Sequence, residues 1–240
     1  MAKVFGVFVA MVLAVAACYG MDSEEYDDKK SISYDIHMKV SPEAARFVED
    51  QLSPLVSKLL PHNDLNFSRT IPHITLYMTL FLRQHQNEIV STFKQTAEQL
   101  LHDYPQCNIT MRSAAASGSY YLWHASIPPC LQSMSDAFVT SLCRFRDVNQ
   151  PIPKWLDDIP EPQRSEMIKL QKMYGSPGVM SYYDPHITVA WDSQEPMTPL
   201  DKIEFPPFNI TVTNFAIGMT TAHGAVLRGR DVAAYPPPGF

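Results

Sequence analysis

Pro72-His73-Ile74-Thr75-Leu76 recurs in this chain as Pro185-His186-Ile187-Thr188-Val189, with four positions identical and the fifth aliphatic in both. Each copy opens on proline, which in sheets favours the first residue of a strand, and continues with β-branched and aliphatic residues that fit extended backbone. Both copies are therefore read as strands. Side chains two apart on a strand share a face, so His73 projects with Thr75 and His186 with Thr188, while Ile74, Leu76, Ile187 and Val189 point to the core. Two polar faces result, each with one imidazole and one hydroxyl. By the same alternation Tyr77 continues the His73 face, where its ring could stack on a base. Tyr183, two residues before Pro185, is a second candidate pocket wall.

The surrounding pattern gives each motif strand a similar setting. Ile32, Ile36, Met38 and Val40 alternate with Ser33, Asp35, His37 and Lys39, as in a half-buried strand. Ser41 caps and Pro42 opens a helix that runs to about residue 60. A second helix, near 85–101, follows the first motif, so the order is β-α-β-α. Segments 108–112 and 120–127 read as strands joined by a small-residue turn through 114–119, followed by a helix near 130–145. Residues 148–180 are broken by Pro151, Pro153, Pro160, Pro162 and Pro177 into an insertion with one helix near 161–173, which is expected to fold over a site. The second motif strand follows, then a strand over 208–219, another over 224–230 and a loose Pro-rich tail at 231–240. A duplicated unit implies a pseudo-two-fold arrangement. The expectation is an α+β, bilobal domain over 31–230: two β-sheet lobes with flanking helices and a central groove where the two polar faces meet.

Composition sets the compartment and limits the partners. Of the 240 residues, 45% are hydrophobic and 18% charged, ordinary for a globular protein. Lys3, the apolar run Val4 to Ala17 and the small residues at its end form a signal-peptide layout over 1–18, too short to span a bilayer comfortably. An acidic linker at 19–30 follows. Val15-Ala16-Ala17-Cys18 also resembles a bacterial lipoprotein site, but the sequons at Asn66, Asn108 and Asn209 favour a eukaryotic secretory protein. Cleavage after residue 18 leaves Cys107, Cys130 and Cys143, hence one disulfide and one spare thiol. On one helix Cys130 and Cys143 would stand roughly 20 Å apart, so Cys107 is the shared partner, with Cys130 the weakly favoured mate. The net charge is −6, or −7 once Lys3 leaves. A long nucleic acid needs a basic surface that this chain lacks, so a phosphate-bearing ligand would be small or a strand end. No His/Cys group has zinc spacing and no carboxylate cluster accompanies the motifs, so neither metal nor cofactor is expected.

Two imidazoles across a groove can divide proton work, one neutral and taking a proton from water, the other protonated and giving one to a leaving oxygen. Two hydroxyls beside them can stabilise an oxyanion. His73-Ile74-Thr75-Leu76 and His186-Ile187-Thr188-Val189 resemble the paired His-x-Thr/Ser-hydrophobic signatures of the two-histidine (2H) phosphoesterase superfamily, which includes RNA 2′,3′-cyclic phosphodiesterases once called RNA ligases. The resemblance spans 31–230. It implies that His73 and His186 are the acid/base pair, that Thr75 and Thr188 bind phosphate, and that a 2′,3′-cyclic phosphate is opened. The substrate would be a small nucleotide or an RNA-end phosphodiester. Trp191 departs from the pattern, since many relatives carry a basic residue after the second motif. The contrasting reading is a secreted binding protein that holds a nucleotide, lipid headgroup or protein segment in the same groove. Which histidine is acid, and the oligomeric state, stay open at this level.

Overall fold

A computed structural model of the protein describes residues 30–194 and 196–237. The leader, most of the acidic linker, Cys18 and the last three residues of the tail lie outside them. Eight strands form two four-stranded sheets: β1 (Ser31–Lys39), β2 (His73–Leu82), β7 (Phe215–Thr220) and β8 (Val226–Tyr235) in the order β2-β1-β7-β8, and β3 (Asn108–Ser117), β4 (Tyr120–Ala125), β5 (His186–Trp191) and β6 (Phe208–Thr211) in the order β5-β4-β3-β6. Every pairing is antiparallel. This is the expected α+β, two-sheet plan. The two motif strands occupy equivalent places, each at the edge of its own sheet.

The sheets are tied together by exchanging helices. The helical run after β1 comprises Pro42–Arg46, a π-helical Phe47–Leu52 and Ser53–Leu59, started by Ser41 Oγ accepting from Ala44 N. It leaves the first sheet and packs on the second, where Phe47 meets Trp123 at 5.4 Å and Phe208 at 5.5 Å between ring centroids. In return the helix Pro129–Leu142, which follows β4 of the second sheet, packs on the first. Its Phe138 stacks on Phe93 of the helix Gln86–Asp103 at 5.7 Å and meets Phe215 of β7 at 5.2 Å. Trp123, Phe93, Phe138 and Phe215 belong to a single buried cluster that runs through both halves, and the partly buried Phe47 and Phe208 pack against it. Aromatic pairs of this kind each contribute about 0.5–1.5 kcal/mol beyond area burial.

Several local expectations are corrected. Residues 208–219 are not one strand: β6 ends at Thr211 in the second sheet and β7 begins at Phe215 in the first, so the chain changes sheets between them. The tail does not loosen at 231, because β8 continues to Tyr235 against β7. The Ala-rich 114–117 is strand rather than turn, held by pairs such as Ala114 with Trp123. Cys107 is bonded to Cys130, with Cα atoms 5.8 Å apart. Cys143 is disulfide-bonded as well, so the expected spare thiol is not found among the described residues.

The insertion's hydrogen bonds to β2 side chains lie on the side away from His73. Its helix Gln163–Tyr174 ends on Gly175, whose left-handed φ of 77° closes the helix. A Cβ there would stand 2.2 Å from Gln150 Nε2 and 2.3 Å from Thr79 Oγ1, so only glycine lets this corner approach β2. Tyr77 OH donates to Tyr174 O and Thr79 Oγ1 to Gly175 O. Both side chains point away from the His73 face.

Candidate active site

The edge strands β2 and β5 face one another. Tyr183, just before β5, donates from its hydroxyl to Thr75 O at 3.1 Å, and Asn63 Oδ1 accepts from Trp191 N at 3.0 Å. These bonds hold the start and end of β5 to the first half of the chain. His73 and His186 are near enough for charge on one to lower the pKa of the other.

Each motif strand carries a β-bulge at the same place. In β2, Tyr77 pairs with Ile36 and Thr75 with His37, leaving Leu76 as the extra residue. In β5, Ala190 pairs with Tyr121 and Thr188 with Leu122, leaving Val189 extra. Both extra residues are the fifth of the repeat. Directly paired residues share a face, and one inserted residue reverses alternation beyond it. Hence His73, Thr75 and Met78 face one way, and His186, Thr188 and Trp191 do likewise. Tyr77, Thr79 and Phe81 turn into the core with Ile36.

The two imidazoles are oriented alike. His73 Nδ1 donates to Ile71 O at 2.9 Å and His186 Nδ1 to Asp184 O at 2.7 Å, the acceptor being two residues upstream in each. A carbonyl only accepts, so each Nδ1 carries the proton and each Nε2 is left for chemistry.

Their surroundings differ. Asp35, fully buried on β1, places Oδ2 3.6 Å from His73 Nε2 and accepts from Thr75 Oγ1 at 2.6 Å. Its Oδ1 has no hydrogen-bond partner among the described residues. Burial works against the His73 imidazolium, but the nearby Asp35 carboxylate, with the Ile71 carbonyl, outweighs it and raises the His73 pKa above the ordinary value. His186 has no such carboxylate at Nε2. Burial lowers its pKa, charge on His124 and His73 adds to the effect, and the Asp184 contacts offset only part. His37, fully buried and 5.3 Å from the His73 ring, is held neutral, its pKa lowered by burial to about 4. Gly218 makes room for that ring, because a Cβ there would lie 3.0 Å from His37 Cε1 and 2.6 Å from Val226 Cγ1.

Of the residues singled out in the sequence, His73, Thr75, His186 and Thr188 are brought onto the facing edges. Thr75 differs from expectation in one respect: its hydroxyl hydrogen is committed to Asp35, so it is not free to donate to a phosphate. Thr188 Oγ1 has no partner among the described residues and lines a cavity. Tyr77 and Tyr183 are not pocket walls. Tyr77 is 1% exposed, turned inward by the bulge and bonded to the insertion, and Tyr183 is 6% exposed and spent on the Thr75 carbonyl. Arg228 is committed to Glu49 and to the carbonyls of Phe67 and Thr70. Asp35 and His37 escape a reading of the sequence alone, and Trp191 registers there only as a departure from the resemblance. The first two stand on the polar side of an alternating strand, a pattern that reads as a solvated face.

No protein-family model and no curated protein matches the chain. In fold it is similar to solved structures of Escherichia coli LigT complexed with 3′-AMP (11% identity, TM-score 0.49, covering 85% of this chain and 97% of that one). It is also similar to a structure described as a phosphoesterase (13%, 0.45, 85% and 97%) and to the protein TT0787 of Thermus thermophilus (13%, 0.45, 85% and 96%). In this chain the paired His-x-Thr strands lie on the facing edges of a two-sheet α+β fold.

Proposed function

We propose that the protein is a phosphodiesterase that opens a 2′,3′-cyclic phosphate, or a related small nucleotide or RNA-end phosphodiester, by two-histidine acid/base catalysis. The observation that carries this reading is the matched pair of histidines on facing edges, each with Nδ1 fixed on a carbonyl two residues back and Nε2 left for proton transfer. Their unlike surroundings divide the roles. His186, biased neutral, takes a proton from water as its oxygen bonds to phosphorus. His73, biased protonated beside Asp35, gives its Nε2 proton to the ring oxygen whose bond to phosphorus breaks. One phosphomonoester forms, and a proton lost by His73 is balanced by one gained at His186. Thr188 is the free hydroxyl for the phosphoryl oxygens.

The chemistry assigned to these side chains needs no metal ion. The leader and sequons support a secreted glycoprotein. Asn108 and Asn209 are both exposed, and their sequons pair across β3 and β6, Thr110 Oγ1 donating to Asn209 Oδ1 at 2.8 Å and Thr211 Oγ1 to Asn108 Oδ1 at 2.6 Å. Incubation with a panel of 2′,3′-cyclic nucleotides in chelator tests the reading. Ring opening to a monophosphate supports it, and intact substrate with folded protein counts against it.

A further inference from the structure

The bulge in β5 has a second effect. It turns Trp191 onto the face of His186 and Thr188, the position where its pseudo-symmetric counterpart on β2 is Met78. Trp191 does not enter the core. It lies against His223 of the turn between β7 and β8, with ring centroids 3.5 Å apart and planes within 18°. Tyr120 OH donates to the His223 carbonyl at 3.4 Å and Tyr120 meets Trp191 edge-on at 6.4 Å, so the stack bridges the two sheets. His223 remains exposed and Trp191 half-buried. Together with Thr188 they line a cavity of about 80 Å³, edged by Asp64, Thr70 and Thr221.

The lining selects the ligand. No lysine or arginine lines the cavity, and Asp64 would repel an anion, so it does not suit a second phosphate. Stacked rings suit a flat, uncharged heterocycle, since every nucleobase offers a π-face. Hydroxyls and a carboxylate suit its polar edge, and a carboxylate accepts from an exocyclic amino group. The cavity shares Thr188 with the proposed phosphate position, so a base seated there lies beside it. We propose that Trp191 and His223 form a nucleobase subsite that seats the base of the substrate nucleotide and favours amino-bearing bases over uracil. This rests on the phosphodiesterase reading and names the substrate class: nucleosidic phosphodiesters rather than cyclic phosphates without a base. It also suits a chain with net charge −6, in which stacking supplies affinity without a basic surface.

The test compares kcat/KM for 2′,3′-cyclic AMP with that for a base-less cyclic glycerol phosphate, in the wild type and in Trp191→Ala, Trp191→Phe and His223→Ala. Trp191→Ala is expected to lower the ratio roughly 10- to 100-fold, the loss of one base stack. Trp191→Phe and the exposed His223→Ala should lower it less, and 2′,3′-cyclic UMP should be the poorer nucleotide. A ratio unchanged in both alanine variants overturns the subsite, while hydrolysis itself stands. A titration with AMP, read on tryptophan fluorescence, needs no turnover. Quenching that disappears in Trp191→Phe supports the subsite even if neither substrate is hydrolysed, an outcome that would overturn the phosphodiesterase reading alone. A wild type that AMP does not quench, with a ratio of one, contradicts the subsite.

Discussion

Thr75 Oγ1 donates to Asp35 Oδ2 across 2.6 Å, whereas no acceptor among the described residues meets the hydroxyl of Thr188. Two threonines that are identical in the repeat are thus unequal in the fold. Thr188→Val should lower kcat by roughly 100-fold, the usual loss for one oxyanion donor. Thr188→Ser should restore most of it, and KM should change little. Steady-state kinetics check this, and a Thr188→Val enzyme with near wild-type kcat removes Thr188 from the phosphate site.

Asp35 should act through His73 and be visible in the pH profile. With His73 raised and His186 lowered, kcat/KM is high between the two pKa values, His186 setting the acid limb and His73 the alkaline one. Asp35→Asn removes the charge that favours the His73 imidazolium, so the alkaline limb should move to lower pH. The acid limb should stay in place. A uniform drop at every pH would indicate a purely structural role for Asp35.

His37 should make the fold sensitive to mild acid. Its pKa is about 4 when folded against an ordinary 6.5. Between those values the unfolded chain binds a proton that the folded chain does not, so stability falls as pH drops from 6.5 towards 4. His186, also lowered, adds to this fall, and His73, raised, opposes it. Urea midpoints over that range should fall less steeply in His37→Gln, and an equal slope would contradict the assignment.

The Cys107–Cys130 bond closes a sequence separation of 23 residues and ties the start of β3 to the Pro129–Leu142 helix. Replacing both cysteines by alanine should cost about 3 kcal/mol in the loop-entropy model. Equilibrium denaturation measures it, and an unchanged midpoint would contradict a stabilising role.

The repeated pentapeptide makes the fold legible because its residue types and phase place both strands, their polar faces and their pairing as equivalents. Helix positions follow from apolar spacing, as at Phe93 and Phe138. What alternation cannot show is where a strand slips. Leu76 and Val189 look like ordinary strand residues, and only pairing with β1 and β4 makes them bulges. Unbroken alternation consequently puts Tyr77 on the wrong face and hides Trp191 from the site. Asp35 and His37 are hidden for a different reason: a polar stripe in a sequence is the same whether it meets water or a neighbouring catalytic strand. The break between Thr211 and Phe215 escapes because a strand that changes sheets keeps its hydrophobic period.

The most direct test of the two-histidine account is the rate of 2′,3′-cyclic nucleotide hydrolysis, in chelator, by His73→Ala, His186→Ala and the double variant beside the wild type. The account predicts that each single change costs several orders of magnitude with the fold intact, and that the double variant is little worse than either, as for groups that act as a unit. Losses of only a few-fold in the single variants, or activity that chelation abolishes in the wild type, would contradict it.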